Sequence, residues 1–285
     1  LLLSASALAQ NAPPPPHPAD RARLGTEADR PVGGESSLEV SGRWPYGYAR
    51  SVAFAGSTPV TMQGSVFQTL DLSTPGQIGI IGEVVLPGVI SDMAAEGDLV
   101  AVMTTHYDDD QTGLFVVDVS DPAAPALRGK LTGIGATAVH LLGGVVYIGT
   151  FEAVEGFQRS LRVVSLADPD GPVQISSVET AGAPEDIAIA GTRAYLAMGT
   201  AGLSVADITD VTSPTITGVP IADYTAAVGV GEVGGGAVLA AVMQDATGTD
   251  QLRFYDLTDT DAPAFLGEDA LRTELIFGPI PMDLV

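Results

Sequence analysis

The sequence of 285 residues contains no cysteine. Disulfide bridges, thiolate metal sites and cysteine nucleophiles are therefore all excluded. Positive charge is also scarce, because 12 Lys and Arg stand against 35 Asp and Glu, giving a formal net charge of −23. A surface this negative repels phosphates and anionic lipids, so we expect no nucleic-acid binding and no membrane binding through a basic face.

Long hydrophobic runs are missing as well. No apolar stretch reaches the roughly 20 residues that a membrane-spanning helix needs, so we expect no membrane insertion. Residues 1–9, LLLSASALA, instead have the composition of a signal-peptide remnant that ends in an Ala-x-Ala cleavage site. A short buried apolar segment is the alternative interpretation. The signal interpretation predicts a protein that is secreted, periplasmic or held at the cell surface.

Two further regions follow along the chain. Residues 10–37 include the proline run from Pro13 to Pro16 and lack any apolar periodicity, which predicts a Pro-rich flexible linker. Residues 38–285 contain short β-branched runs separated by Gly and Pro, which is typical of strands joined by tight turns. We expect this second region to form one domain.

That region contains an internal repeat. Periods of roughly 40–50 residues are typical of propeller blades or helical repeats, and the β-branched runs exclude helices. Each unit is interpreted as four strands, with small residues in the first strand, as the crowded axis of a propeller requires. The predicted fold is an all-β propeller of four-stranded antiparallel blades. The reference positions of the five aligned units are Asp71, Asp118, Ser165, Asp207 and Asp256, at spacings of 47, 47, 42 and 49 residues.

One unit resembles a known family. Its segment GLFVVDVSDPAAP, from Gly113 to Pro125, is similar to the LVIVD repeat of secreted bacterial and archaeal proteins. The resemblance extends from about Leu38 to the C-terminus. It implies a β-propeller, often an appendage of a larger surface or secreted protein, and it implies no general enzymatic activity.

The two ends of the repeat region suggest additional units. Residues 38–42 are predicted to be a fourth strand, and the sequence stops one strand into a further unit at Met282–Val285. We therefore expect five full repeats with partial terminal ones, a sequence truncated at its C-terminus, and six or more blades in the complete protein.

Carboxylates are plentiful, and they form three groups of candidate functional residues. The repeated Asp at the end of the third strand is predicted to cap the following turn, with a metal ligand as the alternative. Asp108, Asp109 and Asp110 are the densest cluster and form a candidate Ca²⁺ site, although consecutive side chains diverge and a solvated hairpin tip is the alternative.

A third group comes from the starts of the innermost strands. In a propeller these starts converge on one mouth of the central channel, where a cation or polar ligand would bind. Turn capping at each strand start is the alternative. The candidate ligand-binding residues are Arg50, Asp92, Glu185, Asp186 and Asp283.

Aromatic residues provide candidate partner-binding surfaces. One group precedes the first repeat, where packing under the first blade is the alternative, and the other lies in a long excursion between two strands. The candidates are Trp44, Tyr46, Tyr48, Phe151 and Phe157.

No catalytic motif is present, so the predicted function is a non-catalytic, exported binding or scaffold module. We expect a monomeric domain whose ligand is a protein, a carbohydrate or another polar small molecule, with no cofactor other than the candidate Ca²⁺. One alternative is a carboxylate-based hydrolase or lyase that acts on a carbohydrate or polar metabolite at the channel mouth. The other is a purely structural appendage of a larger surface protein.

Overall fold

In a computed structural model, the described residues are 48–74, 77–106, 109–152, 158–244 and 248–270. All of them belong to the compact unit Pro45–Val285, whereas the unit Leu1–Trp44, with the predicted signal remnant and linker, lies outside the described residues. No helix in the described ranges is long and apolar enough to cross a membrane.

Within the described ranges, twenty strands form five separate sheets of four antiparallel strands, which we call blades 1 to 5. Blade 1 comprises β1 (Val52–Ala55), β2 (Thr58–Gln63), β3 (Val66–Asp71) and β4 (Gly79–Val85). Blade 2 comprises β5 (Val89–Glu96), β6 (Leu99–Thr105), β7 (Gly113–Asp118) and β8 (Ala126–Thr132). Blade 3 comprises β9 (Ala136–Leu142), β10 (Val145–Glu152), β11 (Gln158–Ser165) and β12 (Val173–Glu179). Blade 4 comprises β13 (Asp186–Ala190), β14 (Arg193–Ala197), β15 (Leu203–Asp207) and β16 (Thr215–Ile221), and blade 5 comprises β17 (Thr225–Val233), β18 (Gly236–Gln244), β19 (Asp250–Asp256) and β20 (Ala264–Ala270).

Strand order within every blade follows chain order, so consecutive strands pair as hairpins. The first strand of each blade contacts the first strand of the next, which makes these five strands the innermost ones. β13 has the sequence DIAIA, and its small alanines permit the close approach of neighbouring inner strands. The predicted all-β fold of four-stranded antiparallel blades is confirmed.

The hydrophobic core is divided among the interfaces between successive blades. Because side chains alternate across a strand, one face of a blade packs on the preceding blade and the other on the following blade. Phe67 of blade 1 and Phe115 of blade 2, for example, lie in one buried cluster, and Leu203 of blade 4 and Tyr255 of blade 5 lie in another. Two further clusters fill the interfaces of blade 2 with blade 3 and of blade 3 with blade 4.

The outer parts of the blades meet through a glycine and a proline-containing turn. A β-carbon on Gly82 of β4 would lie 2.4 Å from the carbonyl oxygen of Pro122 in blade 2. The same relationship recurs 47 residues later, where a β-carbon on Gly129 of β8 would lie 2.4 Å from the carbonyl oxygen of Pro169 in blade 3. Only glycine permits this close approach of backbones, so the repeated turn is a packing element between blades.

The repeated Asp at the end of the third strand caps this turn, as predicted. In each case one carboxylate oxygen accepts the backbone N–H two residues later, at 2.8 Å for Asp71 and Ser73 and at 2.6 Å for Asp256 and Thr258. These hydrogen bonds lower the pKa of both carboxyls. Asp118 and Asp207 make the same contact.

Candidate functional site

The innermost strands of all five blades line one cavity of about 360 Å³, on the side where a propeller has its central channel. Most of the residues that line it are of apolar types, and Asp92, His140 and Asp186 are the ionisable ones. The lining segments are Val52–Phe54 of β1, Asp92–Ala95 of β5, Val139–Leu141 of β9, Asp186–Ile189 of β13 and Val228–Val230 of β17.

Asp92 and Asp186, two of the predicted channel-mouth ligands, bind backbone groups of the next blade. One oxygen of Asp92 accepts the N–H of Met93 at 2.8 Å, and the other accepts the N–H of Val139 in blade 3 at 2.9 Å. Asp186 repeats this arrangement, because it accepts the N–H of its neighbour Ile187 and that of Val228 in blade 5, both at 2.8 Å. Both carboxylates therefore connect adjacent inner strands.

A third carboxylate does the same at the last residue of β5. The two oxygens of Glu96 accept the N–H groups of Gly143 and Gly144, at 2.8 and 2.9 Å, in the turn that follows β9. Both glycines have positive φ angles, +63° and +70°, a conformation that directs successive N–H groups toward one acceptor. We call Asp92, Glu96 and Asp186 the inter-blade carboxylates.

His140 also lies on the channel wall, in β9. Burial lowers the pKa of its imidazole, against the opposing effects of a hydrogen bond with the backbone of Ile187 in blade 4 and the nearby charge of Glu96. The neutral form is therefore favoured. Since blade 3 has Ala138 where blades 2 and 4 have Asp, this imidazole supplies a polar link from blade 3 to blade 4.

Glu185 precedes the inner strand β13, and its environment differs from that of Asp186. Its carboxyl lies against Gly199 and 3.5 Å from the hydroxyl of Tyr224. Although the residue as a whole is exposed, partial desolvation of the carboxyl raises its pKa, and the hydrogen bond with Tyr224 opposes this rise. Desolvation likewise raises the pKa of Tyr224.

The remaining channel-mouth candidates are Arg50 and Asp283. Arg50 is exposed just before β1, and Asp283 lies outside the described residues. The described part of the predicted site thus consists of Arg50, Glu185 and two carboxylates, Asp92 and Asp186, that already bind backbone N–H groups.

The candidate Ca²⁺ loop is described only in part. Asp109 and Asp110 belong to a short 3-10 turn, Asp109–Gln111, and Asp110 is exposed, whereas Asp108 lies outside the described residues. No group of three or more His, Cys, Asp or Glu side chains in the described ranges is placed to hold a metal ion. The calcium site stays a prediction.

The aromatic candidates are also only partly described. Tyr48 is exposed, and Phe151 at the end of β10 lies 5.6 Å from the guanidinium carbon of Arg159, in a cation–π contact. Trp44, Tyr46 and Phe157 lie outside the described residues.

Sequence reasoning missed an apolar surface on the outermost strand of blade 1. Ile78, Ile80 and Val85, in and just before β4, are all strongly exposed, and we call them the apolar edge. At the repeat position of Ile80, blade 3 has the polar Gln174. The segment from Ile78 to Gly82 contains no charged residue, which is the sequence signal for this surface.

The fold and the inter-blade contacts define a repeat protein built from β-propeller blades. Comparison with protein families agrees with this class, because the LVIVD repeat matches residues 108–132 and 181–219. The first match covers the third and fourth strands of blade 2, and the second covers most of blade 4. The predicted resemblance to the LVIVD repeat is thus confirmed for these two regions. A search of curated protein sequences finds no significant match.

Proposed function

We propose that this chain is a non-catalytic, exported binding module that uses the apolar edge of blade 1 to hold a protein partner. An outermost strand offers backbone N–H and C=O groups to an added strand, and apolar side chains beside them give the partner surface to bury. Ile80 and Val85 belong to such a strand, and Ile78 directly precedes it. This combination is the observation that carries the proposal.

The contacts of the channel carboxylates support a non-catalytic role. A general acid or base must be free to exchange a proton with a substrate. Asp92 and Asp186 each accept one N–H from their own strand and one from the next blade, and protonation of either would weaken these bonds. Their geometry is that of structural links between blades.

The proposal is tested by photo-crosslinking in cells that export the protein. A benzophenone amino acid replaces Ile80 in one variant and Gln174, the residue at the same repeat position of blade 3, in the control. We expect one discrete crosslinked product from position 80, none from position 174, and loss of the product when Ile78→Glu is added. Absence of a product at position 80, or equal products at both positions, would contradict the proposal.

One observation favours the alternative of a hydrolase or lyase. Partial desolvation raises the pKa of Glu185, which is the environment of a carboxyl that acts as a general acid. A substrate at the mouth would place its leaving group near Glu185 and Tyr224. Screening glycosides and polar esters for turnover that Glu185→Gln abolishes tests this alternative, and activity that survives the substitution would exclude it.

A further inference from the structure

Blade 1 has a surface groove of about 400 Å³ beside the turn that follows β3. Phe54, Leu72 and Ile81 line it and are 52 %, 47 % and 42 % exposed. In the other blades the residue equivalent to Leu72 is at most 5 % exposed and packs on the preceding blade; these residues are Val119, Leu166, Ile208 and Leu257. The groove is therefore an apolar surface of a kind that the repeat buries elsewhere, and exposed surface of this kind is typical of a binding site.

The groove also contains a carboxylate. Among the described residues that line it, Asp71 is the only ionisable one. One oxygen of Asp71 accepts the N–H of Ser73, and no Lys, Arg or His side chain in the described ranges forms an ion pair with it. We call Phe54, Asp71, Leu72 and Ile81 the blade 1 groove.

Blades 2 and 4 show what a carboxylate at this repeat position binds. Asp118, the equivalent of Asp71 in blade 2, lies 2.8 Å from a guanidinium nitrogen of Arg128. In blade 4 the distance between Asp207 and Arg193 is 2.9 Å. Each of these arginines also binds a carboxylate of the following blade. The repeated Asp thus pairs with a guanidinium in two of the described blades.

Blade 1 lacks both arginines. Strand pairing places Ile81 at the repeat position of Arg128 and Thr58 at that of Arg193. Ile81 and Thr58 both line the groove. The groove is therefore bordered by the two positions from which an arginine reaches the same carboxylate in blades 2 and 4.

We propose that the protein partner of blade 1 inserts an arginine, with an apolar residue beside it, into the blade 1 groove. This inference rests on the proposed function, because Ile81 of the groove directly follows Ile80 of the apolar edge on β4. Successive side chains of a strand point to opposite faces, so an extended segment that pairs with β4 directs every second side chain toward the groove. The guanidinium then pairs with the carboxylate of Asp71, and the apolar side chain packs against Phe54 and Leu72.

Charge favours such a segment over a second copy of the chain. The formal net charge of −23 attracts a basic segment and makes two copies repel one another. Four of the described arginines also already form ion pairs within the chain, namely Arg128, Arg162, Arg193 and Arg253. We therefore expect the arginine to come from a different protein.

The proposal is tested by fluorescence anisotropy with a labelled heptapeptide and the full chain. The peptide alternates valine with threonine and has one arginine in its centre. In the comparison peptide, citrulline replaces the arginine and supplies a neutral side chain of the same shape. We expect citrulline to weaken binding about fivefold, as for a strong ion pair at an exposed site.

Substitutions in the full chain locate the binding site. Asp71→Asn keeps an acceptor for the N–H of Ser73 and should weaken binding of the arginine peptide about fivefold without affecting the citrulline peptide, so the two changes together have no larger effect than either alone. Leu72→Ser should weaken binding of both peptides. The control, Asp256→Asn, changes the net charge equally at the same repeat position beside the buried Leu257, and it should affect neither peptide.

Three results with the peptides would overturn the proposal: equal affinity for both, binding of neither, or a preference for arginine that survives Asp71→Asn. A dimer in sedimentation velocity that Asp71→Asn dissociates would overturn it as well, because a second copy would then be the occupant. The proposed function is tested separately by the crosslinks at positions 80 and 174, so its failure is distinguishable from that of this inference.

Discussion

The carboxylate of Asp92 in blade 2 accepts the N–H of Val139 in blade 3 at 2.9 Å. This one contact joins two inner strands across 47 residues of sequence, and Asp186 makes the equivalent contact with Val228 between blades 4 and 5. Since blades otherwise adhere largely through non-directional apolar packing, directed bonds of this kind fix how one blade is placed along the next. The inter-blade carboxylates thus give the array its register.

Removal of an inter-blade carboxylate should destabilise the protein. Asp186→Ala leaves the N–H groups of Ile187 and Val228 without this acceptor. Hydrogen bonds to charged groups contribute roughly 1.5–3 kcal/mol, so we expect a loss of that size in the free energy of unfolding, measured in urea. Asp98→Ala, at an exposed hairpin turn, is the control and should change stability by less than about 0.5 kcal/mol. Equal effects of the two substitutions would refute the assigned role.

Two glycines at the same repeat position should respond differently to alanine. A β-carbon at Gly129 would collide with the carbonyl oxygen of Pro169, whereas one at Gly267 in β20 meets nothing within 4 Å. Overpacking costs about 1–3 kcal/mol, so Gly129→Ala should lower the free energy of unfolding by this amount and Gly267→Ala should leave it nearly unchanged. If urea unfolding shows both variants to be equally stable, Gly129 does not make the close contact with blade 3 described above.

The Asp side chains that cap the turns after the third strands should make the stability of the protein depend on pH in the acidic range. Hydrogen bonds from Thr258 lower the pKa of Asp256 in the folded chain. The stabilisation is therefore complete above the ordinary Asp pKa of about 3.9 and is lost as the pH falls through the lowered value. We expect Asp256→Asn to melt below the parent protein at neutral pH and together with it at strongly acidic pH. Asp269→Asn is the exposed control, and a constant difference across the pH range would contradict this linkage.

His140 should make the stability of the protein depend on pH in a second, higher range. Burial lowers the pKa of its imidazole, so the unfolded chain binds a proton more readily than the folded one. Stability should fall as the pH drops below the ordinary His pKa of about 6.5. We expect His140→Gln to lower the melting temperature, because the link to Ile187 changes. We also expect the melting temperature of this variant to fall less steeply than that of the parent protein between about pH 7 and 5. An unchanged slope in thermal melts would show that His140 titrates normally.

The sequence was sufficient for the fold because its signals are local and repeated. The Asp that ends most of the third strands recurs with the blade period, and its turn-capping role follows from the short side chain and the adjacent turn residues. The positions of Asp92 and Asp186 on inner strands were also predictable from the repeat. The alternative interpretation, in which these carboxylates cap their own strand starts, agrees with one hydrogen bond of each, namely those with Met93 and Ile187.

The partners across blades were not predictable in the same way. Asp92 accepts the backbone N–H of Val139. Every residue except proline has such a donor, so the sequence does not show which one a given carboxylate binds. Glu96 reads as an ordinary acidic residue until its contact with Gly143 and Gly144 is known. The exposure of Val52 was likewise not predictable, because this residue is as apolar as the buried Met93 and Val139 on the inner strands of blades 2 and 3, and only the arrangement of blades distinguishes them.

The most direct test of the inter-blade role is hydrogen exchange at single amides in the Asp92→Ala variant. If Asp92 holds blade 3 as described, the amide of Val139 should lose protection, while the amide of Val228, which Asp186 holds, should exchange as in the parent protein. Unchanged protection of Val139, or an equal loss at both amides, would contradict the claim that each carboxylate links its own pair of blades.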